Sequence, residues 1–255
     1  MQTTRNYPLT LTQRVVNIIL KGITRILCRV DDAQLKRVPT QGPLILVANH
    51  INFLEVPLVI THLMPRKLTG FAKAETWDNP VIGWLFSIWK AIPLQRGEAD
   101  MDAIHRALEL LAEGYILGIA PEGTRSGHGR LQRGHPGIVM LALRSGAPLM
   151  PIGYYGGESL KANLAKLRRT DFHITVGQLF YLNTEGVKVT HTVRQQMVDE
   201  IMYQLAAILP PYYRGVYSNL EEATTRYLRF PGGSRNNLPS KPDTEAGGKL
   251  IKNYA

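Results

Sequence analysis

The chain has 255 residues, of which 44% are hydrophobic and 20% charged, and this balance excludes a disordered or membrane-embedded chain. Its one cysteine, Cys28, excludes an intrachain disulfide and a zinc–thiolate cluster. The formal net charge of +10 favours anionic partners: nucleic acid, acidic lipid or phosphorylated substrates.

A basic amphipathic helix is predicted near the N-terminus, over residues 9–30. Apolar residues recur there at steps of three and four (Val15, Ile19, Ile23, Ile26, Val30), and basic residues take most of the other positions (Arg14, Lys21, Arg25, Arg29). These charges make the stretch a poor transmembrane span, and no secretory signal is expected before it. Two interpretations stay open: the helix lies in a membrane interface with its basic residues at anionic headgroups, or it packs on its own domain and leaves a solvated basic face.

From residue 43 onward, strand-like and helical patterns alternate. Strand-like apolar runs lie at 43–48, 68–72, 91–94, 115–120, 147–155 and 172–180. Helical patterns lie at about 55–64, 80–90, 100–113 and 135–146, and a last helix from Thr190 to Leu209 ends at Pro210-Pro211. The alternation predicts an α/β domain in which helices flank a mixed, mostly parallel sheet. The composition of residues 231–249 indicates a flexible tail.

The first candidate site follows the strand-like run 43–48. His50 stands in the predicted turn after this run, and Glu55 stands in the first turn of the next helix, where the helix dipole favours an acid. From there a carboxylate can fold back onto the histidine, hold one ring nitrogen as N–H and leave the other free to accept a proton. No serine or cysteine stands beside His50, so the substrate would supply the nucleophile. The alternative is an ordinary turn histidine next to an unrelated glutamate.

The second candidate site follows the strand-like run 115–120, where residues 121–126 read Pro-Glu-Gly-Thr-Arg-Ser. Gly123 lets the backbone approach an anion closely, and backbone N–H groups, Thr124 and the fork of Arg125 can together hold a phosphate. The alternative is a tight loop with a surface arginine. Arg96 also follows a strand-like run, although a lone arginine in such a place is usually a surface charge.

Four blocks of the sequence, in this order, resemble the glycerolipid acyltransferase family, whose best-known members are lysophosphatidate acyltransferases. The blocks are Asn49-His50, Arg96, residues 121–126 and the proline-bounded strand Pro148–Pro151, and the likeness covers residues 40–180. The resemblance implies a glycerol-phosphate acyltransferase-like fold and the transfer of a fatty acyl group to a hydroxyl of a lysophospholipid, in phospholipid biosynthesis. It implies acyl-CoA or acyl-carrier protein as the donor substrate, with no metal and no further cofactor.

The resemblance also implies roles for individual residues. His50 becomes the general base and Glu55 its orienting partner. The acceptor site takes the remaining candidates: Lys73 (at its flank), Arg96, Glu122, Gly123, Thr124 and Arg125. One departure matters, because the family has aspartate where this chain has Glu55. The extra methylene moves the carboxylate by roughly one bond length, and a displacement of ~1 Å can cost of order 100-fold in rate, so either the backbone compensates or the acceptor and the rate differ.

The resulting expectation is a peripheral enzyme on the cytoplasmic side of the cell membrane. A membrane-associating helical segment (1–38) precedes the acyltransferase domain (39–210), and a largely flexible extension (211–255) follows. The expected partners are the phospholipid surface, the lysophospholipid acceptor and the acyl donor, with no nucleic acid. Two alternatives stay open: a catalytically weak or inactive membrane-binding protein with the same fold, and a basic nucleic-acid-binding protein, for which the sequence holds no recognised module.

Overall fold

The computed structural model of the protein describes residues 9–95, 100–232 and 235–239. The α-helices in these residues are α1 (Leu11–Leu27), α2 (Glu55–His62), α3 (Pro80–Ile88), α4 (Met101–Ala112), α5 (Gly137–Ser145), α6 (Leu160–Ala165) and α7 (His191–Ala207). The β-strands are β1 (Cys28–Asp31), β2 (Leu44–Ala48), β3 (Leu68–Lys73), β4 (Ile92–Leu94), β5 (Ile116–Ile119), β6 (Leu149–Tyr155), β7 (Thr170–Val176), β8 (Tyr181–Leu182) and β9 (Leu228–Arg229). Short 3-10 helices lie in several of the connections.

Seven of the strands form one sheet in the order β1-β7-β6-β2-β5-β3-β4. Strands β2 to β6 run parallel to one another. β7 is antiparallel to β6, and β1 is parallel to β7. Central strands such as β2 are apolar along almost their whole length because helices cover both faces of the sheet. The predicted mixed, mostly parallel sheet with flanking helices is confirmed.

Two layers of helices enclose the sheet. The first layer consists of α1, α2, α3 and α6, and its apolar cluster includes Leu58, Trp89 and Leu160. The second layer consists of α4, α5 and α7, and its cluster includes Leu110 and Val198. Each core therefore lies between the sheet and one layer, as a three-layer α/β domain requires.

Helix α1 begins at a capping box and ends three residues earlier than the sequence predicts. The side chain of Thr10 accepts a hydrogen bond from the Gln13 N–H, and the Gln13 side chain accepts one from the Thr10 N–H. The prediction of helix up to residue 30 is wrong, because Cys28–Asp31 pairs with β7 as an edge strand. The apolar positions Cys28 and Val30 also fit the two-residue period of a strand. Cys28, expected inside the helix, is buried in the sheet.

The apolar side of α1 faces away from the protein. The buried side chains of the helix are polar, Asn17 and Thr24, and Asn17 Oδ1 accepts a hydrogen bond of 2.9 Å from Trp89 Nε1. The exposed side chains include six large apolar ones: Leu11, Val15, Ile18, Ile19, Ile23 and Ile26. The interpretation that α1 packs its apolar side on its own domain is therefore wrong for these six side chains, whereas Leu20 and Leu27 pack against the apolar cluster of the first layer. Across the described ranges of the chain, each helix is too short or too polar to cross a bilayer.

The expected boundaries of the segments at both ends need correction. β1 lies inside the segment 1–38, yet it belongs to the main sheet, so residues 28–31 are part of the domain. Residues 211–232 form part of the folded domain, since they contain β9 and the buried side chains of Tyr217 and Tyr227. Within the predicted tail 231–249, Asn237 contacts Gln204 and Gln178. Residues 233–234 and 240–255 lie outside the described residues.

Candidate active site

Both candidate sites lie at one edge of the sheet, here called the site edge. The parallel strands β2, β5, β3 and β6 all end there with their carboxyl termini. His50 follows β2, and the loop that contains residues 121–126 follows β5. β2 and β5 are direct neighbours, with Val47 opposite Ile119, so their loops meet. Ligands of open α/β sheets commonly bind at this edge.

Backbone hydrogen bonds join the two loops. The Ser126 N–H donates to the His50 carbonyl at 2.8 Å, and the Gly127 N–H donates to the Ile51 carbonyl at 3.1 Å. On the other side, the buried Asn49 side chain exchanges two hydrogen bonds with the backbone of Tyr154 in β6, at 2.7 and 2.8 Å. The backbone of His50 is therefore fixed from both neighbouring strands before its side chain makes any contact.

The His50 imidazole contacts the Glu55 carboxylate as the sequence predicts. His50 Nδ1 lies 2.8 Å from Glu55 Oε2. Glu55 is the first residue of α2 and only 2% exposed, and both of its oxygens also accept hydrogen bonds from the Asn52 N–H. The helix dipole favours an anion at this position. Burial and the Asn52 N–H hold the carboxylate in place, so it can in turn orient the ring.

The glutamate in place of aspartate does not break this contact. Glu55 reaches His50 at hydrogen-bonding distance because its side chain folds back over the first turn of α2 to the Asn52 N–H. The backbone therefore accommodates the additional methylene group.

Arg125 lies on the other side of the imidazole. Its Nε–H donates to His50 Nε2 at 3.3 Å. Nε2 can accept the hydrogen bond from the Arg125 N–H only if this nitrogen carries a lone pair. Nδ1 can donate to the Glu55 carboxylate only if it carries a proton. Both neighbours of His50 thus select the same neutral tautomer, with Nδ1–H toward Glu55 and the basic lone pair on Nε2. This is the state that a general base needs.

Within residues 121–126 of the second loop, the exposed residues are Gly123, Thr124 and Arg125. Gly123 has a φ of +67°, a backbone conformation that favours glycine. The loop thus presents a hydroxyl, a guanidinium and open backbone beside the imidazole. These are groups that bind a phosphate.

Glu122 is a buried carboxylate beside the backbone of His50. It is 2% exposed, and its two oxygens accept hydrogen bonds from the His50 N–H at 3.2 Å and the Gln132 N–H at 2.8 Å. Burial raises the pKa of Glu122 to about 7, although both hydrogen bonds favour the anion. With both oxygens accepting from backbone N–H groups, Glu122 holds the loops around His50, and its place in the acceptor site stays a prediction.

Two predicted residues remain, Lys73 and Arg96. Lys73 ends β3 at the site edge and is exposed, which leaves its ammonium group accessible to an anion. Arg96 is one of residues 96–99, which lie outside the described residues, so its role stays a prediction. In the described part of the chain, no three histidine, cysteine, aspartate or glutamate side chains are grouped to hold a metal ion.

Sequence reasoning gave no role to three residues that support the site: Asn49, Asn52 and Gln132. Asn52 contacts Glu55 through its N–H, accepts from the Leu54 N–H through its side chain, and donates to the Gly157 carbonyl. The spacing Asn52-x-x-Glu55 is that of a capping box, and this local signal was available in the sequence. The partners of Asn49 and Gln132 are far away along the chain, so no local pattern indicates them.

Comparison with known proteins supports the assignment of the chain to an acyltransferase family. The family profile described as "Acyltransferase" matches residues 29–155, which include His50, Glu55 and the loop after β5. The chain belongs to the glycerolipid acyltransferase family. Two curated relatives, both named 1-acyl-sn-glycerol-3-phosphate acyltransferase, come from Brassica napus (chloroplastic; 30% identity over 131 residues) and Bacillus subtilis (30% identity over 127 residues).

These matches cover parts of the proteins concerned. They include 50% and 49% of this acyltransferase-family chain and span 38% of the Brassica protein and 62% of the Bacillus protein. A crystal structure of the lysophosphatidate acyltransferase PlsC from Thermotoga maritima has the same fold, with a TM-score of 0.57 and 21% identity over 74% of this chain and 76% of that one.

Proposed function

We propose that this protein transfers a fatty acyl group from a thioester of coenzyme A or acyl-carrier protein to a hydroxyl of a lysophospholipid, in phospholipid biosynthesis. One observation supports the proposal above all others. His50 stands between a buried carboxylate on Nδ1 and a guanidinium at Nε2, in the tautomer of a general base. The names of the curated relatives favour a lysophosphatidate-like acceptor.

The chemistry needs no nucleophile from the protein. His50 Nε2 removes the proton from the acceptor hydroxyl while Glu55 stabilises the resulting imidazolium through Nδ1–H. The acceptor oxygen attacks the thioester carbonyl carbon, the carbon–sulfur bond of the tetrahedral intermediate breaks, and the proton on Nε2 passes to the leaving sulfur. The products are an ester and a free thiol, and His50 returns to its neutral tautomer.

The acceptor is held by its phosphate. Arg125 presents a guanidinium next to Nε2, and a guanidinium binds phosphate oxygens through two parallel hydrogen bonds. When the phosphate engages Arg125, the acceptor hydroxyl lies beside the basic nitrogen. Thr124 and the exposed Lys73 add a hydroxyl and a second positive charge at the same edge, and Arg96 completes the set expected from the sequence.

The enzyme works at the surface of a bilayer, on its cytoplasmic side. The observation that favours a membrane is α1, whose six large apolar side chains face solvent while the polar side chains of Asn17 and Thr24 are buried. A helix of this kind lies in the interface with its apolar side in the lipid. The net charge of +10 attracts the protein to anionic lipid.

An acyl-transfer assay that follows thiol release tests the proposal. We expect transfer to lysophosphatidate, and we expect His50→Ala to lower kcat by about 10²–10⁴-fold. His105→Ala is the matched control, because His105 is an exposed histidine of α4. Transfer by the His50 variant at the wild-type rate would exclude the base assignment. An inactive wild-type protein that still binds vesicles would favour the alternative of a membrane-binding protein without activity.

Two further variants test the geometry. Glu55→Asp restores the family residue but withdraws the carboxylate from a backbone arranged for glutamate, so we expect a loss of about 10–100-fold in kcat.

Arg125→Ala should raise the KM for lysophosphatidate more than the KM for an unphosphorylated monoacylglycerol. Equal effects on the two acceptors would remove the phosphate-binding role from Arg125, and Arg194→Ala on α7 is the control.

A further inference from the structure

Helix α6 and the turn that leads from it to β7 expose leucine among positive charges. We call residues 161–168 (Lys-Ala-Asn-Leu-Ala-Lys-Leu-Arg) the basic turn. Leu167 is 98% exposed and Leu164 is 41% exposed, and the three basic side chains, Lys161, Lys166 and Arg168, are exposed as well. An isolated exposed leucine is ordinary, but two leucines inside a basic cluster have the composition of a segment that binds an anionic lipid surface.

The basic turn is a well-defined structure. The Asn163 carbonyl accepts hydrogen bonds from the N–H groups of Lys166 and Arg168, at 3.0 and 2.8 Å. The Asn163 side chain donates to Thr170 Oγ1 at 3.2 Å. Leu167 has a φ of +52°, which is uncommon for a residue other than glycine. The backbone thus holds the Leu167 side chain at the tip of the turn, away from the core.

Within the described ranges of the chain, no acidic side chain forms an ion pair with Lys161, Lys166 or Arg168. The sequence from Leu160 to Thr170 contains no aspartate or glutamate. The next acid, Asp171, is bound by the guanidinium of Arg29 through two hydrogen bonds of 2.6 and 3.1 Å. The positive charges of the basic turn therefore remain available to an anionic partner.

The basic turn adjoins the carboxyl end of α1. Arg169 Nη2 donates hydrogen bonds of 2.6 Å to the carbonyls of Arg25 and Cys28, and so ties the start of β7 to the last turn of the helix. In that last turn Ile26 is 73% exposed. α1 and α6 also belong to the same layer of helices, so the outward apolar side of α1 and the basic turn lie on the same side of the sheet.

The basic turn also lies at the site edge. β6 ends at this edge, and the chain returns into the antiparallel β7 directly after the turn, with Tyr155 opposite His173. Asn52, next to the catalytic candidates, donates from its side chain to the Gly157 carbonyl at 2.8 Å. A lipid surface in contact with both α1 and the turn would therefore meet the same edge of the sheet as His50.

We propose that the basic turn is a second contact with anionic phospholipid bilayers, separate from α1. Leu164 and Leu167 enter the interface, and Lys161, Lys166 and Arg168 bind lipid phosphates. Contact at α1 alone leaves the protein free to rotate about the helix axis, whereas a second contact beside its carboxyl end fixes the site edge toward the lipid. The choice of a membrane as partner rests on the proposed function, but the contact itself can be measured without any acyl transfer.

Vesicle binding of charge and leucine variants tests this proposal. With vesicles of phosphatidylcholine and phosphatidylglycerol, we expect Lys161→Glu/Lys166→Glu/Arg168→Glu to lower the partition coefficient at least about tenfold. We expect Leu164→Ser/Leu167→Ser to lower it about fivefold or more. Arg144→Glu/Lys188→Glu/Arg194→Glu changes the net charge equally in and near the second layer of helices, and should affect binding less than the triple variant of the turn.

A fluorescent label reports insertion directly. Cys28 is buried and is the one cysteine of the chain, so Leu167→Cys in a Cys28→Ser background can be labelled at a single position. We expect an environment-sensitive label at residue 167 to shift to the blue on anionic vesicles. The same label at Val216→Cys, another exposed apolar position, should not shift.

Three outcomes would overturn the proposal: wild-type binding by both sets of turn variants, an unshifted label at residue 167, or a change of oligomeric state in these variants without vesicles. Melting temperatures and turnover of a water-soluble short-chain acceptor, both unchanged, show that the variants are folded. The proposed function fails separately. Absent acyl transfer together with vesicle binding that depends on the turn would refute the enzyme and keep the contact.

Discussion

Helices α1 and α4 have the same kind of amphipathic sequence, but the apolar side of α4 faces the core and that of α1 faces solvent. Both are amphipathic, with apolar residues at steps of three and four. α4 turns Ala107, Leu110 and Leu111 into the core. α1 turns Asn17 and Thr24 inward and leaves Ile18 and Ile26 in solvent. A periodic pattern thus establishes that a helix has an apolar side, while the surface that covers this side, protein or lipid, depends on what lies next to the helix.

The two layers also differ in what they give to the site. The first layer supplies Glu55, at the start of α2, together with the outward apolar side of α1. The second layer covers the opposite face of the sheet, and its helix α5 follows the loop that contains Glu122. One layer therefore combines base orientation with the proposed lipid contact, and the other provides an ordinary core. Four predictions probe this difference, from the largest expected effect on stability to the smallest.

The first prediction places the same charge on the apolar side of each helix. Leu110→Asp puts a carboxylate into the core of the second layer, and we expect a loss of about 4 kcal/mol or more in the free energy of unfolding. Ile18→Asp puts it on the outward side of α1, and the free energy should change by about 0.5 kcal/mol or less. Urea denaturation measures both. Equal destabilisation by the two variants would show that the outward side of α1 is packed in solution.

The second prediction concerns Glu122 in the loop after β5. Burial raises its pKa from 4.5 to about 7, so the folded protein binds this proton more tightly than the unfolded chain does. Stability from this group is complete below pH 4.5 and is lost as the pH rises through 7, by about 3 kcal/mol. Denaturation at several pH values should show this slope in the wild type and not in Glu122→Gln. Parallel pH dependence of the two proteins would contradict the buried, proton-binding carboxylate.

The third prediction concerns the polar, inward side of α1. Asn17→Ala removes the acceptor of the Trp89 indole N–H and leaves that buried donor unpaired, which costs about 1–3 kcal/mol. Thr12→Ala, an exposed position of the same helix, serves as the control. If thermal melts of the two variants coincide, α1 does not dock on the domain through Asn17.

The fourth and smallest effect has the opposite pH sign from Glu122 and belongs to the first layer. His62, on α2, is buried, and its Nδ1 bonds to the Leu58 carbonyl. Burial lowers the pKa of His62 below 6.5, and this effect outweighs the Leu58 hydrogen bond, which raises the pKa. The charges of Lys21 and Arg25 lower the pKa further, and Asp32 raises it. The unfolded chain takes up the proton first, so stability falls as the pH drops below 6.5. We expect His62→Gln to reduce the drop in melting temperature between pH 7.5 and pH 5 by no more than about 2–4 °C. An unchanged drop would argue against burial of a neutral His62.

The sequence by itself determined what depends on neighbours along the chain. The alternation of strands and helices and the mixed, mostly parallel sheet follow from local periodicity, and the structure confirms them. The contact between His50 and Glu55 was also predictable, because five residues and one helix start suffice to make it. A short segment carries its own conformational preferences, so its hydrogen bonds are already implied by the order of its residues.

The tertiary structure alone decided what depends on residues far apart. β5 lies directly beside β2 although two strands separate them in sequence, and only this order places Arg125 next to His50. Glu122 became a support of the backbone because its two donors, from His50 and Gln132, meet in a buried place. The direction in which α1 faces was fixed in the same way, by Trp89 and Arg169. These arrangements arise from packing between distant elements, and a local pattern of residue types is compatible with more than one of them.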